Sequence, residues 1–383
     1  MIIKRLEADG FKNLKCVNIF PDEKLNIIFG ENAQGKTNLI ETVWLCSGSR
    51  SFRGTKDKDF VSFYKDSAQI KLLFSDIRRS QDIEIKMQKA NIRDKSIALN
   101  GVKQKLLSKL FGNLKCVVFT PEDLELSKGS PENRRSFLDL CISQIKPGYK
   151  KVTEKYDALI LQRNTLLKNI SAGISKEGEL DVWDEQLARM GAYISVLRYN
   201  FTKKLDCFSK KLYKKLSSGC EELTLEYAST VFDTLEGESD FNGKMAQYYL
   251  SLLKKNIRDD LRTGFTQTGT HRDELVIKIN ELSVREHGSQ GQQRSAALIL
   301  KLAQAYILFE ETDDPPVILL DDVLSELDRK RQQFVLSHID KMQVFITCCN
   351  IDESFFHRQC KLFEVKNGCI KEKAGENIVS SSR

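Results

Sequence analysis

No run in the 383 residues approaches the roughly 18 consecutive apolar positions that a membrane-spanning helix needs. The N-terminal Met1-Ile2-Ile3-Lys4-Arg5 lacks the long apolar core of a signal peptide and reads as the start of a strand. Both absences point away from a membrane and toward a cytoplasmic protein. No Cys-x-x-Cys pair occurs among the ten cysteines, at 16, 46, 116, 141, 207, 220, 348, 349, 360 and 369. That excludes the paired ligand spacing of structural zinc, and without a secretory leader the thiols read as reduced, mostly buried small hydrophobes. Low-complexity tracts and internal repeats are also missing. At 41% hydrophobic and 30% charged residues, what is left is a globular chain too long for one compact core. A main domain with a sizeable second lobe is expected.

The net charge is +7, and it is unevenly placed. From Pro131 to Leu216 there are 17 Lys+Arg against 10 Asp+Glu, a surplus of seven, so the remainder sums to zero. A basic lobe beside a neutral one suits a polyanion.

The first 120 or so residues alternate short apolar runs with turns: Met1–Leu6, Leu25–Phe29, Ala68–Phe74, Asp82–Met87 and Lys115–Phe119 read as strands. One helix runs through Asn38–Leu45. Ser130-Pro131-Glu132 then opens a helical region, with a capping serine and a proline at the first helical position. After a loop at Ser171–Leu180, the stripe Trp183, Leu187, Met190, Ile194, Leu197, Phe201, Leu205, Phe208, Leu212, Leu216 keeps steps of three and four. It predicts one arm of a helical hairpin, and the stripe itself is packing. Leu223–Ala228, a helix around Met245–Leu261 and a strand at Leu275–Asn280 lead back. A buried helix follows from Ser289, and then the fully apolar strands Val317–Leu320 and Val344–Thr347, the kind found inside a parallel sheet. The predicted fold is α/β, with a discontinuous head of mixed sheets and helices over residues 1–125 and 265–383. A helical, short coiled-coil-like arm over residues 126–264 interrupts it.

The chemistry concentrates in Gly30-Glu31-Asn32-Ala33-Gln34-Gly35-Lys36-Thr37, with Asn38 next, between an apolar strand and a helix. Glycines let the backbone wrap a phosphate, the amides and helix dipole favour the anion, Lys36 reaches the outer phosphates, and the Thr37 hydroxyl can hold magnesium. A nucleoside triphosphate and Mg2+ are the implied cofactors. The other half of such a site is an acid ending a buried strand, supplied by Val317-Ile318-Leu319-Leu320-Asp321-Asp322. Asp321 would hold magnesium, and Asp322 would orient or activate the attacking water.

Ser289-Gln290-Gly291-Gln292-Gln293-Arg294, ahead of that acid strand, resembles the signature motif of ABC-type ATPases, which closes over the outer phosphate from the opposite subunit. The run Leu320–Asp328 resembles the acid strand and the dimer-contact loop behind it, implicating Ser325 and Asp328. Within the superfamily the chain resembles the RecF family. The phrases that carry this include Gly10-Phe11-Lys12-Asn13-Leu14, Ser51-Phe52-Arg53, Phe119-Thr120-Pro121-Glu122-Asp123-Leu124, Gly129–Asp139 and Gly269-Thr270-His271-Arg272-Asp273-Glu274, in order over nearly the whole chain. The resemblance implies a homodimer closed by two ATPs, binding DNA at gaps and single/double-strand junctions. It implies work with RecR in the RecO/RecA pathway, with slow hydrolysis as the reset. It also implies nucleotide contacts from Ser289, Gly291, Gln292 and Arg294, and a DNA-sensing role for Arg53. On the basic arm, Lys150, Lys151, Lys210 and Lys211 are the candidate backbone contacts.

Three positions depart from the wider superfamily. Asp322 stands where many members carry glutamate, Thr347 lies near where a histidine usually follows the next strand, and Pro121-Glu122 replaces a glutamine. A transporter ATPase subunit would not call for a basic helical arm. A chromosome-organising ATPase would have arms of hundreds of residues, and a small-molecule P-loop kinase would need no signature helix.

Overall fold

The computed structural model describes residues 1–90, 95–350 and 360–373, and these form two compact units. The first comprises residues 1–123 with the chain from Leu300 onward; the second is Leu124–Ile299.

In the first unit a twelve-stranded mixed sheet is built around a parallel core. Its order is Cys116–Phe119, Val317–Asp321, Val344–Cys348, Leu25–Phe29 and Lys361–Lys366, each parallel to its neighbour. Val317 to Leu320 are entirely buried, as expected of a strand covered on both faces. The rest of the sheet is largely antiparallel, through Ile2–Asp9, Ser67–Ser75 and Ser80–Gln88, whose alternating burial marks one face in and one out. The predicted strands recur with ends shifted by at most three residues. Helix Lys36–Cys46 is buried nearly all round and packs on the parallel core.

The second unit packs helices Pro131–Ile145, Pro147–Ser171 and Asp181–Leu216 together, the last two as the expected hairpin. A small antiparallel sheet, Leu223–Ala228 with Glu274–Ile279 and Leu282–Ser283, lies alongside. Here the expectation needs correction. Residues 265–299, assigned from sequence to the head, pack in this unit, and the boundary falls inside helix Gln290–Thr312. The reason is physical. Strand Glu274–Ile279 takes Leu223–Ala228 as its partner, and the segment before it carries a buried polar knot.

That knot joins two phrases far apart in sequence. Arg134 donates to both oxygens of Glu274 (2.8 and 2.7 Å), and Arg135 donates to the Asp273 carbonyl (2.9 Å). Arg198 bridges the Asp139 carboxylate (2.8 Å) and the Thr270 carbonyl (2.6 Å). Asp273, wholly buried, accepts from the Tyr227 hydroxyl and from Thr230 through its backbone N–H and its side chain. Gly269 adopts φ +150°, and a Cβ there would lie 2.1 Å from the Tyr249 hydroxyl. Burial drives the neighbouring His271 imidazole down to a pKa of about 4, so it stays neutral near pH 7.

Smaller differences have local causes. Ser130 occupies the N-cap of its helix, but its hydroxyl makes no capping bond. The helix expected over Met245–Leu261 breaks at Asn256, whose amide turns to the Thr268 hydroxyl (2.8 Å). Only Cys46, Cys116 and Cys141 are buried, so the cysteines are not mostly core. Among the described residues no helix is long and apolar enough to cross a membrane.

Arg163 is fully buried and is held by Asp184 (2.6 Å), Asp260 (2.6 Å) and Thr266 (2.8 Å) from three other segments. Arg163→Ala would strand two carboxylates and should cost about 3–5 kcal/mol. Calorimetry should show it as a lowered melting transition, with Arg163→Lys recovering only part of the loss.

Candidate nucleotide site

The phosphate loop follows strand Leu25–Phe29, and its shape depends on its glycines. Gly30 sits at φ +150° with the Val365 carbonyl 2.4 Å from where a Cβ would be. Gly35, at φ +117°, turns the chain into helix Lys36–Cys46 and leaves no room for a Cβ beside Asn13 (2.8 Å). Asn13 supports the loop from outside, donating to the Ala33 carbonyl (2.9 Å) and accepting from Asn38 (2.7 Å). Gln34 accepts from the Asn367 backbone N–H (2.6 Å). Glu31, Asn32 and Ala33 face solvent, the open side of the loop.

Lys36 is only 7% exposed. Its ammonium contacts the Gly30 carbonyl (2.6 Å), the Glu31 carbonyl (2.8 Å) and the Cys349 sulfur (3.8 Å). Among the described residues no carboxylate pairs with it. A buried cation neutralised only by carbonyl dipoles calls for an anion, and phosphate fits.

The acid half stands beside it. Asp321 ends its strand 6% exposed and accepts from the Thr37 hydroxyl (3.0 Å) and the Thr347 hydroxyl (2.8 Å). Thr347 in turn accepts from the Asp322 backbone N–H (2.9 Å). The Asp321 carboxyl is pushed up from the usual range, mainly by burial; the two threonine hydroxyls and the nearby Arg53 charge oppose that rise. Thr37 and Asp321 thus bring two hard oxygens together, a fit for magnesium, which takes one or two protein oxygens and completes its shell with water and phosphate. Asp322 holds φ +54°, and Ser325 donates to its carbonyl (2.6 Å) and its carboxylate (3.2 Å). Thr347 is therefore committed to both aspartates. It is Cys349, two residues on, that lies at the phosphate cradle, where its thiol donates to Asn32 (3.0 Å).

Two features escaped the sequence reading. Glu41, fully buried on the loop's helix, pairs with Lys12 and accepts from Ser51, and Ser51 accepts from the Arg53 (3.2 Å) and Thr55 (3.1 Å) backbone N–H groups. The Arg53 segment is thereby tied to the phosphate-loop helix. Lys12 and Ser51 both lie in phrases that signalled the family, but the Glu41 link needs three dimensions. Asn13 is the second, and its signal was the same opening phrase.

The remaining candidates lie as follows. Asp328 is exposed and caps helix Arg329–His338, accepting from the Arg331 backbone N–H (2.9 Å), and Ser325 is exposed. Ser289, Gly291, Gln292 and Arg294 belong to the second unit. Ser289 is exposed at the start of its helix and forms a reciprocal capping box with Gln292, at 3.2 and 2.9 Å. Gln292 also donates to Glu221 (2.7 Å). Lys150 pairs with Glu154 (3.7 Å), and Lys210 with Asp206 (3.7 Å) and Glu222 (3.6 Å). Lys151 and Lys211 are exposed, the latter over the Phe208 ring.

A family model described as the RecF/RecN/SMC N terminal domain matches residues 2–371. The chain is 38% identical to the DNA replication and repair protein RecF of Clostridium tetani, over 97% of this chain and 100% of that one. This chain belongs to the RecF family. The family's curated members are DNA replication and repair proteins, and RecF of Alkaliphilus oremlandii, also 38% identical, covers 91% of the chain. A solved recombination mediator protein, RecF-ATP in the RecFOR pathway, superposes with a TM-score of 0.88 at 35% identity, covering 97% of this chain and 98% of that one. The Smc head domain of Pyrococcus furiosus shares the fold alone, at 16% identity and TM-score 0.55. The fold is that of an ABC/SMC-type ATPase head.

The raised Asp321 pKa means that ionised Asp321 costs stability above that pKa, and the cost disappears as pH falls toward the ordinary carboxylate value. Asp321→Asn keeps a carbonyl for both threonines, so it should melt higher than wild type at pH 7–8. The gap should close in acid, while magnesium-dependent nucleotide binding is lost. Thermal melts across pH with and without MgATP check both.

Proposed function

We propose that the chain is an ATP-binding, DNA-binding switch of recombinational repair and replication restart. The observation that carries this is the half-built site: a buried Lys36 ammonium in a glycine cradle, with no carboxylate partner among the described residues, and Thr37 and Asp321 oxygens 3.0 Å apart beside it. ATP bound there would place its outer phosphates at Lys36 and its magnesium at Thr37 and Asp321. The exposed Ser289 to Arg294 helix start of a second copy would supply amides, and the Ser289 hydroxyl, to the phosphate's open side. Ser325 and Asp328 would line the contact between copies. Closure on ATP makes a homodimer.

Hydrolysis in this reading is slow. Asp322 is the candidate base, its carboxylate short and hydrogen-bonded by Ser325, so ATP lasts long enough for binding to be the signal. DNA would stimulate this weak ATPase through Arg53, which already acts on the Asp321 charge. The basic arm, with Lys150, Lys151, Lys210 and Lys211, would follow the DNA backbone without reading sequence. In this reading DNA next to gaps is the target and RecR, with RecO and RecA in the same pathway, the partner; the solved relative described as a recombination mediator in the RecFOR pathway supports the pathway.

Sedimentation of wild type, Lys36→Arg and Ser289→Arg with and without ATP separates the two halves of the site. Wild type should dimerise with ATP, Lys36→Arg should not respond to nucleotide, and Ser289→Arg should bind ATP within about threefold of wild type yet stay monomeric. A Ser289→Arg protein that dimerises normally would remove the shared-site reading. DNA affinity should fall by at least about tenfold between about 50 and about 300 mM salt; affinity unchanged over that range would exclude backbone binding.

A further inference from the structure

Phe63 and Tyr64 are adjacent in sequence, and they are 88% and 95% exposed. Large aromatic side chains ordinarily bury most of their area, and two side by side in solvent call for a partner. The residues just before them show what packing looks like here. Phe60 is 1% exposed and stacks on Phe11 with ring centroids 5.3 Å apart, and Val61 is buried. Phe60 and Val61 hold the segment to the head, and Phe63 and Tyr64 point away from it.

The backbone that displays the rings is fixed. Ser62 donates to the Gly10 carbonyl (2.8 Å), Lys12 donates to the Phe60 carbonyl (2.8 Å), and Lys89 donates to the Asp66 carbonyl (2.8 Å). The two rings meet edge to face with centroids 6.4 Å apart. The Lys89 ammonium lies 5.0 Å from the Phe63 ring centre and bonds the Phe63 carbonyl (3.0 Å), while Lys65, next in sequence, is paired with Asp9 (2.6 Å). The surface is therefore an aromatic step on a hydrogen-bonded backbone, with the Lys89 amine at its rim.

We propose that this step is a stacking platform for unpaired bases of single-stranded DNA. The inference rests on the DNA-binding reading above and adds the element that would distinguish a gap from intact duplex. Inside a duplex each base has its faces covered by neighbours, so away from a duplex end only a single strand can offer one to Tyr64 or Phe63. The rim chemistry favours nucleic acid over protein. Lysine is depleted in protein interfaces, whereas amines beside exposed aromatic rings suit a phosphate backbone whose bases stack. The same chain segment leads back through Thr55, which accepts from Lys12 (3.0 Å), to Arg53. The platform is thus joined to Arg53 along one chain segment that is hydrogen-bonded to the head.

The test uses the full chain with MgATP and fluorescence anisotropy on labelled oligothymidylate and on a blunt duplex. The variants are Phe63→Ala/Tyr64→Ala and the ring-conserving Phe63→Trp/Tyr64→Trp. Loss of both rings should weaken single-strand binding by at least about tenfold. Duplex affinity and ATP affinity should stay within about twofold, and the tryptophan pair should bind the single strand as wild type or better. Equal loss on both DNAs, or no loss on either, overturns the platform; the second outcome would leave a protein partner as its occupant. Wild type that binds neither DNA overturns the DNA-binding reading and the platform together, whereas wild type that binds both beside an unaffected double variant overturns the platform alone.

Discussion

The buried carboxylate of Asp321 is the point on which the site depends. It stands at the end of a strand with no polar surface of its own, and its charge is tolerated because hydroxyls from Thr37 and Thr347 are turned onto it. Those residues come from three separate parts of the chain, brought side by side because Leu25–Phe29, Val344–Cys348 and Val317–Asp321 pair in parallel. Parallel pairing aligns the carboxyl ends of the strands, so the phosphate loop, the acid and the bridging hydroxyl all emerge at one edge. A register slip of one residue would turn Asp321 to the other face of the sheet.

The second unit uses buried charge differently. Its Arg134–Glu274 pair ties a helix to the small sheet, its Arg198–Asp139 and Arg163–Asp184–Asp260 sets tie helices to one another, and the described structure gives them no chemistry. Two phrases that mark the family, Gly129–Asp139 and Gly269–Glu274, are the two sides of this knot. Their residues are demanding because the site is: Gly269 has no space for a Cβ, and each arginine needs its own acceptor. Phrases that mark the family can thus be structural, here holding the unit that also carries the exposed Ser289 helix start.

Legibility in the sequence followed the range of the interactions. The phosphate loop, the acid strand and the hairpin stripe are local patterns of spacing and period, and the structure has them within a few residues of the expected bounds. The return from the arm was misplaced because a strand such as Glu274–Ile279 looks the same whichever sheet accepts it. The break at Asn256 was invisible because Thr268, which draws the side chain away, is distant in the pattern. Thr347 could be seen to lie near where a histidine usually stands, but not to bridge the two aspartates.

By itself the sequence determined the family, the α/β head with its inserted helical arm, and the candidate phosphate loop and acid strand, because glycine-loop geometry and strand burial are set by short contiguous runs. Tertiary structure alone decided the Glu41–Lys12–Ser51 tie, the company of Lys36 with Cys349, the boundary at Leu300, and the outward display of Phe63 and Tyr64. Each of these depends on which distant segment lies alongside, and pairing between distant segments is settled by competition for hydrogen bonds and buried area over the whole fold.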